Sequence, residues 1–215
     1  SLRVIEIGNS NNYLVSNYRN AMIYKYIPAF CFLVATAFSL SLSAHGHHEN
    51  ASLQFIENKA QWEGQILFKA NVQAGALFLE KNAFTYTLLH PEDLKKIHDV
   101  KMNGLTPDFT DEIRGHAFKV NMLDANPSPK VSGSGAASNY HNYYLGNDPT
   151  KWADNVQLFN KVTYKNIYHK TNLEIYSKDG DLKYDYIVRP GGNHHDIQLQ
   201  YEGVDKIEIK SGALH

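Results

Sequence analysis

Between residues 66 and 201, apolar and polar side chains repeatedly exchange places at every second position, and that period limits what the chain can become. A strand sends consecutive side chains to opposite faces, whereas an amphipathic helix repeats every 3.6 residues. Ile66, Phe68 and Ala70 alternate with Leu67 and Lys69, and Phe84, Tyr86 and Leu88 share one face of a later run. Phe118, Val120 and Met122 oppose Lys119 and Asn121, while Leu182, Tyr184, Tyr186 and Val188 oppose Lys183 and Asp185. Ile197, Leu199 and Tyr201 repeat the pattern. Between the runs lie turn residues. Gly75 precedes Leu77, and Lys178-Asp179-Gly180-Asp181 separates Leu173–Tyr176 from Leu182–Val188 as a hairpin turn in which Gly takes positive φ. Ser211-Gly212 opens a further hairpin whose second strand is only beginning at His215, so the chain reads as a fragment of a longer domain. Helix is expected only as two turns from Pro91 to His98 and one turn at Asp148–Trp152. Residues 102–115 and the Pro, Ser and Gly stretch Asn126–Ser138 read as loops. Many short strands with turns between them predict an all-β fold, an antiparallel β-sandwich. The 14 tyrosines and 10 phenylalanines suit it.

Ahead of these strands lies a different kind of segment. Met22 is followed by Lys25, an apolar run Ile27–Leu42, and the small residues Ser43, Ala44 and Gly46. A positive start, an apolar middle and a small-residue exit make a secretory signal over residues 22–46. The run is shorter than the roughly 20 residues a spanning helix uses. An uncleaved anchor is the alternative. Cleavage fits after Ala44 or after Gly46, which places the mature terminus between His45 and Glu49 and leaves residues 1–21 as an upstream extension outside the native protein. Cys31, the only cysteine, lies within the apolar run, so the exported domain of residues 47–215 must rely on burial rather than disulfides. Loss of residues 1–44 removes Arg3, Arg19, Lys25 and Glu6, leaving 18 cations against 21 anions and a net charge of −3. No basic stripe exists, which argues against nucleic acid as a partner.

Five ordered stretches carry a family resemblance: Phe55-Ile56-Glu57-Asn58-Lys59-Ala60-Gln61-Trp62, residues 143–152 (YYLGNDPTKW), Val162–Tyr168, Leu182–Tyr186 and Tyr201–Lys206. Together they resemble the domain that precedes seven-bladed β-propeller-type (SBBP) repeats in surface proteins of gliding and related Gram-negative bacteria, over roughly Leu53 to His215. The resemblance implies downstream repeats, a type IX secretion route and no assigned catalytic residue. Three turns depart from the family pattern. Ala60 stands where Gly is usual, His169-Lys170-Thr171-Asn172 replaces Pro-Gly-Ile-Asp, and Gly192-Asn193-His194-His195 replaces Gly-Ala-Asp-Pro.

Several residue groups invite chemistry, each with a plainer reading beside it. His45 and His47, in His45-Gly46-His47-His48, suit a square-planar Cu(II) site only if the new amino terminus falls at His45; otherwise they are a polar tail. His194-His195-Asp196 offers two imidazoles and a carboxylate, but neighbours on a strand diverge, so a surface turn is favoured. Asp179, Asp181 and Asp185 lack the full calcium-loop pattern, and Asp179-Gly180 already serves as a turn. Glu57 and Asp185 are a conceivable carboxylate pair whose separation sequence cannot give. No nucleophile elbow, zinc motif or phosphate loop is found, so catalysis is not expected and no cofactor is called for. Trp62, Trp152, Tyr140, Tyr143 and Tyr144 are expected mainly in the core, with Trp152, Tyr143 and Tyr144 kept as ligand candidates. The expected function is an exported structural or interaction domain, partnered by the export machinery and by downstream domains of its own polypeptide. A carbohydrate-binding module, contacting a surface glycan, and a hydrolase with an unrecognised site are the alternatives.

Overall fold

The computed structural model describes residues 2–6, 53–103, 113–178, 180–210 and 213–214. The apolar run of the leader, His45, His47 and Asp179 lie outside them. The described chain is mostly antiparallel β with a single α-helix. Its strands are β1 (Leu2–Glu6), β2 (Phe55–Glu57), β3 (Phe68–Val72), β4 (Gly75–Leu79), β5 (Ala83–Leu89), β6 (Gly115–Leu123), β7 (Lys130–Tyr143), β8 (Ala153–Tyr168), β9 (Thr171–Lys178), β10 (Asp181–Val188), β11 (Gln198–Glu202), β12 (Ile209–Lys210) and β13 (Ala213–Leu214). Helix α1 spans Pro91–Met102.

Eleven strands form one hydrogen-bonded sheet in the order β1-β10-β9-β8-β2-β3-β4-β5-β6-β11, with β7 on the other edge of β8. Of the expected antiparallel β-sandwich, the antiparallel all-β character is present and a clear sandwich is not. The sheet curls into a half-barrel instead of dividing into two separate layers. The reason lies in β8. Its first half pairs with β2 through Leu158 and Phe159, its second half pairs with β9 from Lys161 to Tyr168, and β7 covers its opposite edge along most of its length. Two wings therefore diverge from one strand and fold toward each other. One wing is β2 to β6 with β11; the other is β9 and β10. Leu2–Glu6, read from the sequence as upstream of the native start, runs parallel to β10.

The space between the wings holds the core. Phe55, Phe68, Leu77, Leu79, Phe84, Val120 and Met122 from one wing meet Val162, Tyr164, Leu173, Ile175 and Tyr186 from β8 and the other. Aromatic contacts cross the gap alongside the aliphatic ones. Phe84 meets Tyr164 edge-on at 6.1 Å between centroids and Tyr184 at 5.6 Å, and the hydroxyls of Tyr86 and Tyr184 are hydrogen-bonded. The fully buried Tyr164 hydroxyl donates to the Glu80 carbonyl at 2.8 Å, so its ring packs without stranding its polar tip. The expected inward face of β10 is inward, with Tyr186 buried and Tyr184 half-buried at the rim.

Two expectations about local structure were wrong. Residues 130–138, read as a loop, are the first part of β7, because pairing with β8 overrides their small-residue composition. A side chain at Gly133 would strike the Phe159 ring, with Cγ only 2.3 Å from the added carbon, so the glycine marks a close crossing rather than a break. Helix α1 runs three turns, not two. Its buried Asp93 accepts from the Arg114 backbone N–H at 2.9 Å and from that residue's guanidinium at 2.9 and 3.0 Å, clamping the helix to the start of β6. The hairpins at 178–181 and 210–213 form as expected, with Lys178 opposite Asp181 and Lys210 opposite Ala213.

Two of the three turns singled out from the sequence hold a residue where backbone geometry makes a side chain costly. Ala60 has φ of 84° and Lys170 has φ of 52°, a region that disfavours any residue with a Cβ. Restoring glycine removes that strain, partly offset by the freer unfolded chain. Ala60→Gly and Lys170→Gly are each expected to stabilise by about 0.5–1 kcal/mol, raising the melting temperature by about 2 °C in a scanning-calorimetry comparison. A fall in melting temperature for both would show that these turns do not hold left-handed backbone.

Candidate functional site

At the end of the β7–β8 hairpin the chain leaves β7 at Tyr143, crosses Tyr144 to Asn147, and returns through a 3-10 turn at Pro149–Lys151. Asp148 caps that turn: its carboxylate accepts from the Thr150 backbone N–H at 3.0 Å and from the Thr150 hydroxyl at 2.7 Å, and Pro149 occupies the first turn position. The Trp152 backbone N–H closes the turn on the Pro149 carbonyl, and its indole N–H reaches the Gly146 carbonyl at 3.4 Å. Both ends of Trp152 are thereby held while its ring faces solvent.

Three aromatic side chains stand exposed together. Tyr140 is 56% exposed, Tyr144 57% and Trp152 43%, with Leu145 beside them at 42%. Tyr144 and Trp152 meet at 5.9 Å with their ring planes at 90°, forming a floor and a wall. The Tyr144 hydroxyl is hydrogen-bonded to the Asp154 carboxylate. That bond, with partial burial and the nearby Asp154 charge, pushes the phenol above its ordinary value.

A groove of about 580 Å³ adjoins the ledge through Thr150 and Lys151. Its floor is Trp62, Ile66 and Phe68; its polar wall includes Glu57 and Asn58. The 58–66 loop is built by Asn58, whose side-chain amide donates to the carbonyls of Trp62, Glu63 and Ile66. The same loop is tied to the hairpin at three points. Lys59 donates to the Asp154 and Asn155 carbonyls, Lys151 pairs with Glu63 at 3.1 Å, and Trp62 packs edge-on against Tyr143 at 5.5 Å. Beneath, the buried Lys69 places its ammonium 5.6 Å from the Trp62 ring centroid.

Most of the aromatic group placed in the core by composition is thus at the surface. Trp152 and Tyr144 share one corner; Tyr143 turns away from it and packs on Trp62 and His141. Asp154 and the groove residues Glu57 and Asn58 join the site through pairings that sequence spacing does not reveal. His194 and His195 lie in a 3-10 turn, the surface turn expected, and that turn brings their rings to 4.1 Å; Asp196 takes the Asn193 amide. Asp181 pairs with Lys183, and Asp185 accepts from the Tyr176 hydroxyl at 2.7 Å. Glu57 and Asp185 stand on strands of different wings that do not pair. Among the described residues no cluster of three or more metal-ligating side chains occurs, and no helix is long and apolar enough to cross a membrane.

Residues 55–215 match the DUF7948 family, a domain of unknown function. The chain belongs to that family. The match begins within two residues of the stretch singled out from the sequence motifs and includes every residue of the ledge and groove. No curated protein and no solved structure matches the chain.

Titration of the Tyr144 phenol tests the ledge geometry. With tyrosines labelled at Cζ, its NMR midpoint is expected above 10, the ordinary value, and Asp154→Asn is expected to lower it by removing the adjacent negative charge. A midpoint unchanged in Asp154→Asn would mean that the two groups are not in contact.

Proposed function

We propose that this DUF7948 domain is an exported interaction module that carries a contact surface at the cell surface and joins it to the rest of its polypeptide, without catalysis of its own. The observation that carries this reading is the ledge of Tyr140, Tyr144 and Trp152, exposed together and fixed from behind by the Asp148 cap and by the loop contacts. Soluble proteins seldom leave several large aromatics exposed side by side unless something covers them. Rigid mounting reduces the ordering cost of binding. Export is supported by the leader composition at residues 22–46. The two wings, facing each other like the layers of a sandwich, serve as the frame; the hairpin end serves as the contact.

Expression with the leader in a Gram-negative host tests both halves of the proposal. The chain is expected outside the cytoplasm, with an intact mass that starts between His45 and Glu49, and retained on washed cells. A Tyr144→Ala/Trp152→Ala variant is expected to be exported equally but to wash off. An uncleaved cytoplasmic chain, or equal partitioning of parent and variant, would overturn the proposal.

A further inference from the structure

We infer that the ledge takes carbohydrate, specifically a β-linked chain of gluco-configured pyranose units, with one unit seated in the corner between Tyr144 and Trp152; this rests on the ledge being a contact surface. The shape of the corner favours a ring. Tyr144 and Trp152 are in edge-to-face contact, 5.9 Å between centroids with planes at 90°, so each ring holds the other in place and their exposed faces are what a sugar can stack on. A gluco-configured pyranose carries its hydroxyls equatorially. Both of its faces are therefore C–H surfaces that stack on aromatic rings, and its polar groups lie around the edge.

The rim matches that edge. Asp154 uses one carboxylate oxygen for the Tyr144 hydroxyl and retains lone pairs for sugar hydroxyls. Lys151, paired with Glu63, supplies a donor at the boundary between ledge and groove. Asp148, Asp154 and Glu63 stand against Lys59 and Lys151, so the rim is nearly balanced. A neutral ligand that both donates and accepts hydrogen bonds suits it better than a phosphate chain, which would need a basic groove. The groove extends the site. About 580 Å³ lined by Trp62, Glu57, Asn58, Thr150 and Lys151 begins at the residues that directly precede Trp152 in the chain and has room for further sugar units. A protein partner would find exposed Trp and Tyr equally attractive. The adjoining concave, polar-walled groove favours the sugar chain.

An array of immobilised cellohexaose, laminarihexaose and chitohexaose, with mannan and dextran as controls, tests the inference on the full chain. Saturable binding to at least one of the three β-linked gluco-configured chains is expected, with weaker binding to the controls. Trp152→Ala is expected to weaken it by about tenfold or more, the usual scale of a lost ring stack, with partial recovery in Trp152→Phe. Parent and variants are compared by thermal melting. If Trp152→Ala does not fold, titration of cellohexaose, laminarihexaose and chitohexaose into the parent decides instead, through a shift of the Trp152 indole N–H signal. A blank array, equal binding by a folded Trp152→Ala variant, or an unmoved indole signal with all three sugars would overturn the carbohydrate inference. Loss of cell retention in the double variant alongside a blank array would leave the interaction reading standing and only the ligand class refuted.

Discussion

Strand β8 has to satisfy hydrogen bonds along two edges that lead to different parts of the molecule. Sixteen residues long, it gives one edge to β7 and divides the other between β2 and β9. Buried backbone groups without partners are costly, so neither wing can leave β8 without another strand taking its place. The side chains follow the same division. Leu158 belongs to the outer cluster with Ile56 and Val156, whereas Phe159, Val162 and Tyr164 face the core between the wings. In a flat strand Leu158 and Val162 would share a face. Their separation shows that β8 coils as it passes from one wing to the other, and the half-barrel follows from that coil.

That coil also decides which strands were legible in the sequence. The period-two runs that became β5, β6, β10 and β11 are regular segments with a core face and an outer face, and their patterns survive in the structure. β8 was not recognised as one strand because its pattern is broken twice. Asn155 and Asn166 sit at φ of 51° and 50°, each within an irregular stretch of pairing. Each shifts which residues face inward. β7 was hidden differently, since its glycines and serines look like a loop until Phe159 is placed across Gly133. Ile66, assigned to the core face with Phe68, precedes the strand and belongs to the outer layer under Trp62.

The candidate site was partly visible. Asp148-Pro149 announced the turn that presents Trp152, because a cap followed by proline has a local cause. Its neighbours could not be found that way. Trp62 and Glu57 reach the groove through β2 and a loop nearly a hundred residues earlier, and only the pairing of β2 with β8 brings them there. The outer layer links frame and site. Trp62 packs on both Tyr143 and the Ile66, Ala76 and Phe78 cluster, so the loop that walls the groove is anchored on the same strands that carry the core on their opposite face. Ledge rigidity is therefore a consequence of the curl in the sheet.

The two wings close on one another across a strand they share. Ring-to-ring nuclear Overhauser contacts measured on the folded chain with selectively labelled aromatics test this most directly. Contacts from Phe84 to both Tyr164 and Tyr184 are predicted, since their centroids lie 6.1 and 5.6 Å apart, together with backbone contacts from β8 to β7, β2 and β9. Intact strand contacts within each wing, with no contact between Phe84 and Tyr184, would contradict it.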